Sequence, residues 1–345
     1  MIFNFYDLFR FKVYGKRETG LLSKVFSSFR VSEDIPVDLE LDLTRFRIED
    51  PYARKRIKQN IFVDDSTLYL KGSYKGVSWW IKIGLEEGQT FRVKFFSSLF
   101  IEELALRMVI LPVFQLVVGQ KGHNLLICSI FLQNKIMKMI MGMPGSGKTS
   151  VLLEGCNHNA QFFIDDYALI SREGQILRIK DTVSLRPSLV LASQYIRSRV
   201  VWSDKLSAFF WKLIEVITRG SICFHSSLRV DDIFPSITSV PKGEAIKVFY
   251  LEKSFLADRE YEVIELGRQG LIQRILLYEQ ANSSWHGDIL GVYQNLNPAD
   301  SLVKRGQVLR ENLECFFTRS QCYLVKLRTD GKQIMQKVGK KILEI

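Results

Sequence analysis

The stretch Ile136 to Gly155, IMKMIMGMPGSGKTSVLLEG, limits the fold more than any other part of the chain. An apolar run meets Gly142, Gly145 and Gly147, and helix-forming residues follow at once. Upstream, HNLLICSIFLQ is a second apolar run, set off by Gln133-Asn134-Lys135, so the two read as strands joined by a tight turn. Downstream, AQFFIDDYALI reads as a buried strand ending in Asp165 and Asp166. The order strand, glycine loop, short helix, strand with acids predicts an α/β domain with some α+β character.

Gly142 to Thr149 matches the spacing G-x-x-x-x-G-K-[ST]. Its glycines let successive backbone N–H groups turn inward, and the start of the next helix adds a positive end. A phosphate chain fits such a concavity. Gly142, Pro144, Gly145, Ser146, Gly147, Lys148, Thr149 and Ser150 are therefore the expected nucleotide-binding residues. Lys148 offers a charge to the outer phosphates and Thr149 a hydroxyl to Mg²⁺, which makes ATP and Mg²⁺ the expected cofactors. Asp165 follows Lys148 by seventeen residues, enough for a short helix, a turn and a returning strand. Neighbouring acids on a strand point to opposite sides, so one can ligate Mg²⁺ while the other takes a proton from an attacking hydroxyl. The competing readings are an ATPase or nucleotide switch, which has to position only water, and a degenerate binding protein. No N-K-x-D guanine reader occurs, since Asn134-Lys135-Ile136-Met137 lacks the acid.

The combination G-x-x-G-x-G-K-T, a short helix and a strand ending Asp-Asp resembles the HPr kinase and phosphoenolpyruvate carboxykinase superfamily, in particular its compact kinase branch. The likeness covers roughly residues 95–330, with weaker matches in DTVSLRPS, AIKVFYLEK and CYLVKLR. It adds His123, which opens the hairpin before the loop. The resemblance implies that Lys148 and Thr149 hold phosphate and Mg²⁺, that Asp165 is the general base assisted by His123, and that Asp166 is a metal-side ligand. Arg186, in SLRP, is a candidate contact to a phosphate or an acceptor anion. The C-terminal signature of HPr kinase proper and the arginine set of the carboxykinases are missing. The expected acceptor is thus a hydroxyl of a protein, a peptide or a small-molecule alcohol.

The first hundred residues alternate instead. Phe3, Phe5, Phe9, Phe11 and Val13 share one parity, and Val37, Leu39, Leu41 and Leu43 alternate with Asp38, Glu40 and Asp42. TLYLKG, SWWIKIG and TFRVKF continue the pattern, predicting a mostly antiparallel β domain with one wet face over residues 1–97. A helix over Ser98–Val118, kinked at Pro112, opens the expected kinase domain of residues 98–345. Further helices are expected at Leu206–Arg219, in GRQGLIQRILLYEQ and over Lys332–Leu343.

The net charge is +11, yet the dense basic clusters, Arg54–Lys58 and Lys332–Lys341, are short. Aromatic and basic residues form no base-stacking strip, so a nucleic-acid partner would rest on charge alone. Cys128, Cys156, Cys223, Cys315 and Cys322 have no C-x-x-C spacing and read as reduced thiols. The N-terminus lacks a secretory pattern, and Ile101–Gly119 carries Glu102, Glu103, Arg107 and Pro112, too polar for a membrane span. A soluble cytoplasmic protein, free to form a homo-oligomer, is expected. His158 and His225 read as structural, and His286 with Asp288 as a minor site candidate.

Overall fold

Phe3, Phe5, Phe9, Phe11 and Val13 do share one buried face, but a turn divides them into two strands. The computed structural model describes residues 1–15, 20–46, 55–58, 61–64, 67–74, 77–84, 90–171, 174–218, 226–235, 246–254, 259–279, 302–328 and 332–345. In it β1 (Ile2–Phe5) pairs antiparallel with β2 (Phe9–Tyr14), Phe5 opposite Phe9. Tyr6 and Asp7 turn the chain at φ 55° and 59°. Asn4 steadies that left-handed backbone: its amide donates to Asp7 Oδ1 at 2.9 Å, and the Asp7 N–H donates back to Asn4 Oδ1 at 3.0 Å.

Seven more strands extend this sheet: β3 (Arg30–Val31), β4 (Leu39–Asp42), β5 (Lys55–Lys58), β6 (Ile61–Asp64), β7 (Thr67–Tyr74), β8 (Val77–Gly84) and β9 (Phe91–Ser97). Their order is β3-β1-β2-β4-β9-β8-β7-β6-β5. The pairings are antiparallel except at β4, which runs parallel to both β2 and β9. Leu39 and Leu41 are buried, while Glu40 and Asp42 reach Arg92 and Lys94 across the strand pair at 3.6 and 3.3 Å. α1 (Gly20–Val25) follows the first hairpin, and its Leu22 N–H donates to Glu102 on α2 (Ile101–Ala105) at 2.9 Å. The kink expected at Pro112 takes the form of a widened π turn, Leu106–Ile110, ahead of α3 (Leu111–Gln120). Pro112 has no N–H to give, and its ring crowds the carbonyl of Met108, so the turn before it opens. The described residues up to Lys121 make one unit and those from Gly122 onward a second, so α2 and α3 go with the N-terminal β unit.

The second unit starts with the expected hairpin, β10 (His123–Gln133) and β11 (Ile136–Gly142). Asn134 and Lys135 turn it at φ 51° and 62°, as a two-residue primed turn requires. There follow α4 (Lys148–Asn157), β12 (Gln161–Ile164), β13 (Tyr167–Ser171), β14 (Ile176–Arg178), β15 (Thr182–Leu185), α5 (Pro187–Ala192), α6 (Gln194–Arg199) and α7 (Trp202–Ile217). After them come β16 (Ser226–Arg229), β17 (Ile246–Lys253), β18 (Tyr261–Glu265), α8 (268–279), α9 (Leu302–Phe316), β19 (Gln321–Leu327) and α10 (Lys332–Glu344). The main sheet runs β14-β13-β10-β11-β17-β19-β18, with β12 also on β10; β15 and β16 pair apart. Only β11–β17 and β17–β19 are parallel, so the unit is a mixed α/β structure, with no closed barrel among the described residues.

Both faces of this sheet are covered, which explains its unbroken apolar runs. Along β17, Phe249 and Leu251 enter a core with Leu152 of α4 and Val338 and Ile342 of α10. Val248 and Tyr250 enter the opposite core with Ile272 of α8 and Leu313 of α9. Lys138 is buried on β11 and caps the end of α10, donating to Ile342 O at 2.7 Å and Leu343 O at 2.9 Å. Burial and the neighbouring Lys247 pull its pKa down to about 8.

Candidate functional site

β11 lies inside the sheet between β10 and β17, and the glycine loop leaves from its carboxyl end. In sheets of this kind ligands sit outside the carboxyl ends of the parallel strands. Gly142 is paired with Leu251 and has φ 140°, a backbone state closed to other residues. A Cβ there would stand 2.4 Å from the Leu251 carbonyl oxygen. Gly142→Ala should therefore lower the urea midpoint and cost roughly 2–4 kcal/mol from strain and overlap together. Gly147, at φ 98°, precedes the first residue of α4.

Met143, Pro144 and Gly145 are exposed, whereas Ser146 is buried, its hydroxyl without a hydrogen-bond partner among the described residues. Ser150 is on the first turn of α4. The Lys148 ammonium folds back on its own loop, donating to Gly142 O at 2.8 Å and Met143 O at 3.1 Å. Burial holds its pKa below the usual lysine value. An orphaned hydroxyl and an ammonium that bonds backbone carbonyls suit an anion at the loop.

The two aspartates sit in a break between β12 and β13, not on a continuous strand, because Asp166 is left-handed at φ 76°. Their surroundings differ sharply. Asp165 is buried; the Thr149 hydroxyl lies 3.2 Å from each of its oxygens, and Ser129 on β10 donates to Oδ1 at 2.5 Å. Burial, followed by the charge of Asp166, pushes the Asp165 carboxyl up to about 7. The Asp166 side chain is 35% exposed, and its Oδ2 is 3.4 Å from the ammonium of Lys180. Lys180 is itself buried, with its ammonium 4.7 Å from the centre of the Tyr167 ring.

Arg186, at the entry to α5, borders the loop: one guanidinium nitrogen is 3.8 Å from where a Cβ on Gly145 would stand. His123 is not brought to the acids. It begins β10 opposite Ser171, six residues before Ser129, or about 20 Å along a strand. The cause is the length of β10, whose middle residues rather than its start meet the Asp pair: the Cys128 N–H donates to Asp166 O at 3.1 Å. Ser129 and Lys180 were missed from sequence. The only hint of Ser129 was a lone hydroxyl inside an apolar strand, and Lys180 stands just before DTVSLRPS.

Among the described residues no three or more His, Cys, Asp or Glu side chains cluster to hold a metal. Mg²⁺ held mainly by phosphate oxygens and water needs only one or two protein donors, and the Thr149–Asp165 pair offers them. His158 is on the surface, 3.3 Å from Glu154. Cys128, Cys156, Cys315 and Cys322 are free thiols. Cys223, His225, His286, Asp288 and the Arg54–Lys58 side chains lie outside the described residues. No protein-family model and no curated protein matches the chain.

Proposed function

We propose that the chain is an ATP-dependent kinase of the HPr-kinase-like type, transferring the γ-phosphoryl group to a hydroxyl acceptor on a protein, a peptide or a small alcohol. The observation that carries this reading is the unequal placement of two adjacent carboxylates beside a phosphate-type loop. Asp165 is sealed under Thr149, while Asp166 is open and held by Lys180. A hydrolase or switch has use for the first acid; a group that accepts an alcohol proton gives a use to the second.

The loop amides, the Ser146 hydroxyl and Lys148 would cradle the phosphates, and Arg186 would lie against the outer ones. Thr149 and Asp165 would hold Mg²⁺, which when bound neutralises charge on the phosphate oxygens. Asp166 then takes the acceptor's proton as the acceptor oxygen bonds to phosphorus and the bond to ADP breaks. Lys180 holds that carboxylate in place. This assignment reverses the division implied by the family resemblance, because an acceptor hydroxyl cannot reach a carboxylate as enclosed as that of Asp165. His123 has no part in it. Free thiols and ATP as donor point to the cytoplasm; no helix among the described residues is long and apolar enough to cross a membrane.

The test is to incubate the protein with γ-labelled ATP and a cell extract, with and without Mg²⁺. A labelled acceptor that needs Mg²⁺ and disappears with Lys148→Ala is the expected result. Release of free phosphate with no labelled acceptor would identify an ATPase instead.

A further inference from the structure

We infer that α7 is a membrane-surface helix, and that its occupant is the headgroup region of an anionic bilayer. Only Ala208 of its residues is buried; the helix lies against α5. Trp202, Leu206, Phe209, Phe210, Leu213 and Ile217 form one stripe at helical spacing, and all are exposed, Trp202 by 72% and Ile217 by 71%. At about 100° per residue these six positions span roughly a third of the helix circumference, facing away from Ala208. An ordinary surface helix has the opposite polarity.

The distribution of charge says what fits this stripe. Asp204 and Glu215 are half-buried on the side of Ala208, and Lys212 bonds Glu215 at 2.9 Å. Lys205 and Lys212 flank the apolar stripe on one border; Lys205 can lay its stem along a lipid surface and raise its ammonium to phosphate, and Lys212 can do so by leaving Glu215. Just before α7, on α6, Arg197 and Arg199 are exposed, and the whole chain carries +11. Trp and Phe on the apolar side with Lys and Arg around it are the features of helices that lie in a bilayer interface. A second copy fits less well, because antiparallel pairing of two stripes sets the Lys205–Lys212 borders against each other. The proposal stands independently of the phosphotransfer reading.

Flotation of the full chain with phosphatidylcholine vesicles containing about a third phosphatidylglycerol tests it. The wild type should float, less so as salt rises, and weakly with pure phosphatidylcholine. Phe209→Gln/Phe210→Gln should weaken partitioning at least about tenfold on both vesicle types. Lys205→Gln/Lys212→Gln should weaken it roughly tenfold on the anionic vesicles alone and flatten the salt dependence. The Phe variant should melt as the wild type does, since both side chains are exposed, and the Lys variant should melt at most slightly lower, having lost the Lys212–Glu215 pair. The inference is overturned if the wild type stays in solution, or if the Phe pair leaves flotation unchanged. It is equally overturned if the protein is a vesicle-indifferent dimer that the Phe pair splits.

Discussion

Asp166→Asn is expected to slow phosphate transfer by roughly 10²–10⁴-fold, the usual worth of a positioned general base, while nucleotide affinity changes by no more than about threefold. The asymmetry follows from position. Thr149 bonds the Asp165 carboxylate and Lys148 the loop carbonyls, whereas the Asp166 carboxylate meets Lys180 at 3.4 Å. Asn is isosteric but cannot take a proton, so the loss should fall on turnover and not on binding. Asp165→Asn should behave differently. The Thr149 hydroxyl would keep a partner, but the negative donor beside it would be gone, so the concentration of Mg²⁺ needed for nucleotide binding should rise about tenfold or more. Isothermal titration of Mg²⁺–nucleotide and single-turnover transfer, run on both variants, separate the two roles. If Asp165→Asn bound Mg²⁺–nucleotide normally and lost only transfer, the roles would revert to those implied by the family resemblance.

The parts of this site that were legible in sequence are those fixed by local backbone chemistry. Gly142, Gly145 and Gly147 adopt the positive φ angles their spacing required, and the Asn134–Lys135 turn appears where the pattern put it. What sequence could not show comes from pairing across distance. β11 finds its parallel neighbour in β17, over a hundred residues on, and β12 joins β10 antiparallel instead of extending the parallel set. That second pairing puts Ser129 on Asp165 and leaves His123 at the far end of the strand. The first hairpin was hidden for a related reason. Because Phe5 and Phe9 stand opposite each other across a three-residue loop, the odd-numbered parity passes through the turn unbroken. α7 was read correctly as a helix, but periodicity alone cannot say which side of an apolar stripe meets the protein.

The second large effect is on stability, and its sign depends on pH. The folded-state pKa of Asp165 is raised to about 7 from an ordinary 3.8, so the fold favours the protonated acid. Below about pH 4 the carboxyl is neutral in folded and unfolded chains alike, and Asp165→Asn should melt close to the wild type. Between about 4 and 7 the unfolded chain gives up its proton while the folded one keeps it, so wild-type stability falls as pH rises. Above 7 the deficit is constant. Without nucleotide or Mg²⁺, Asp165→Asn should accordingly be the more stable protein at pH 8, by on the order of 3 kcal/mol, visible as a rise of several degrees in Tm. Saturating Mg²⁺–nucleotide should invert the ranking, since binding adds stability only in proportion to affinity and the variant has lost much of it. A family of melting curves from pH 4 to 8, with and without ligand, reads both limbs. A variant less stable than wild type at pH 8 in the absence of ligand would mean that Asp165 is held as a carboxylate by the loop, with Lys148 turned to it rather than to the carbonyls of Gly142 and Met143.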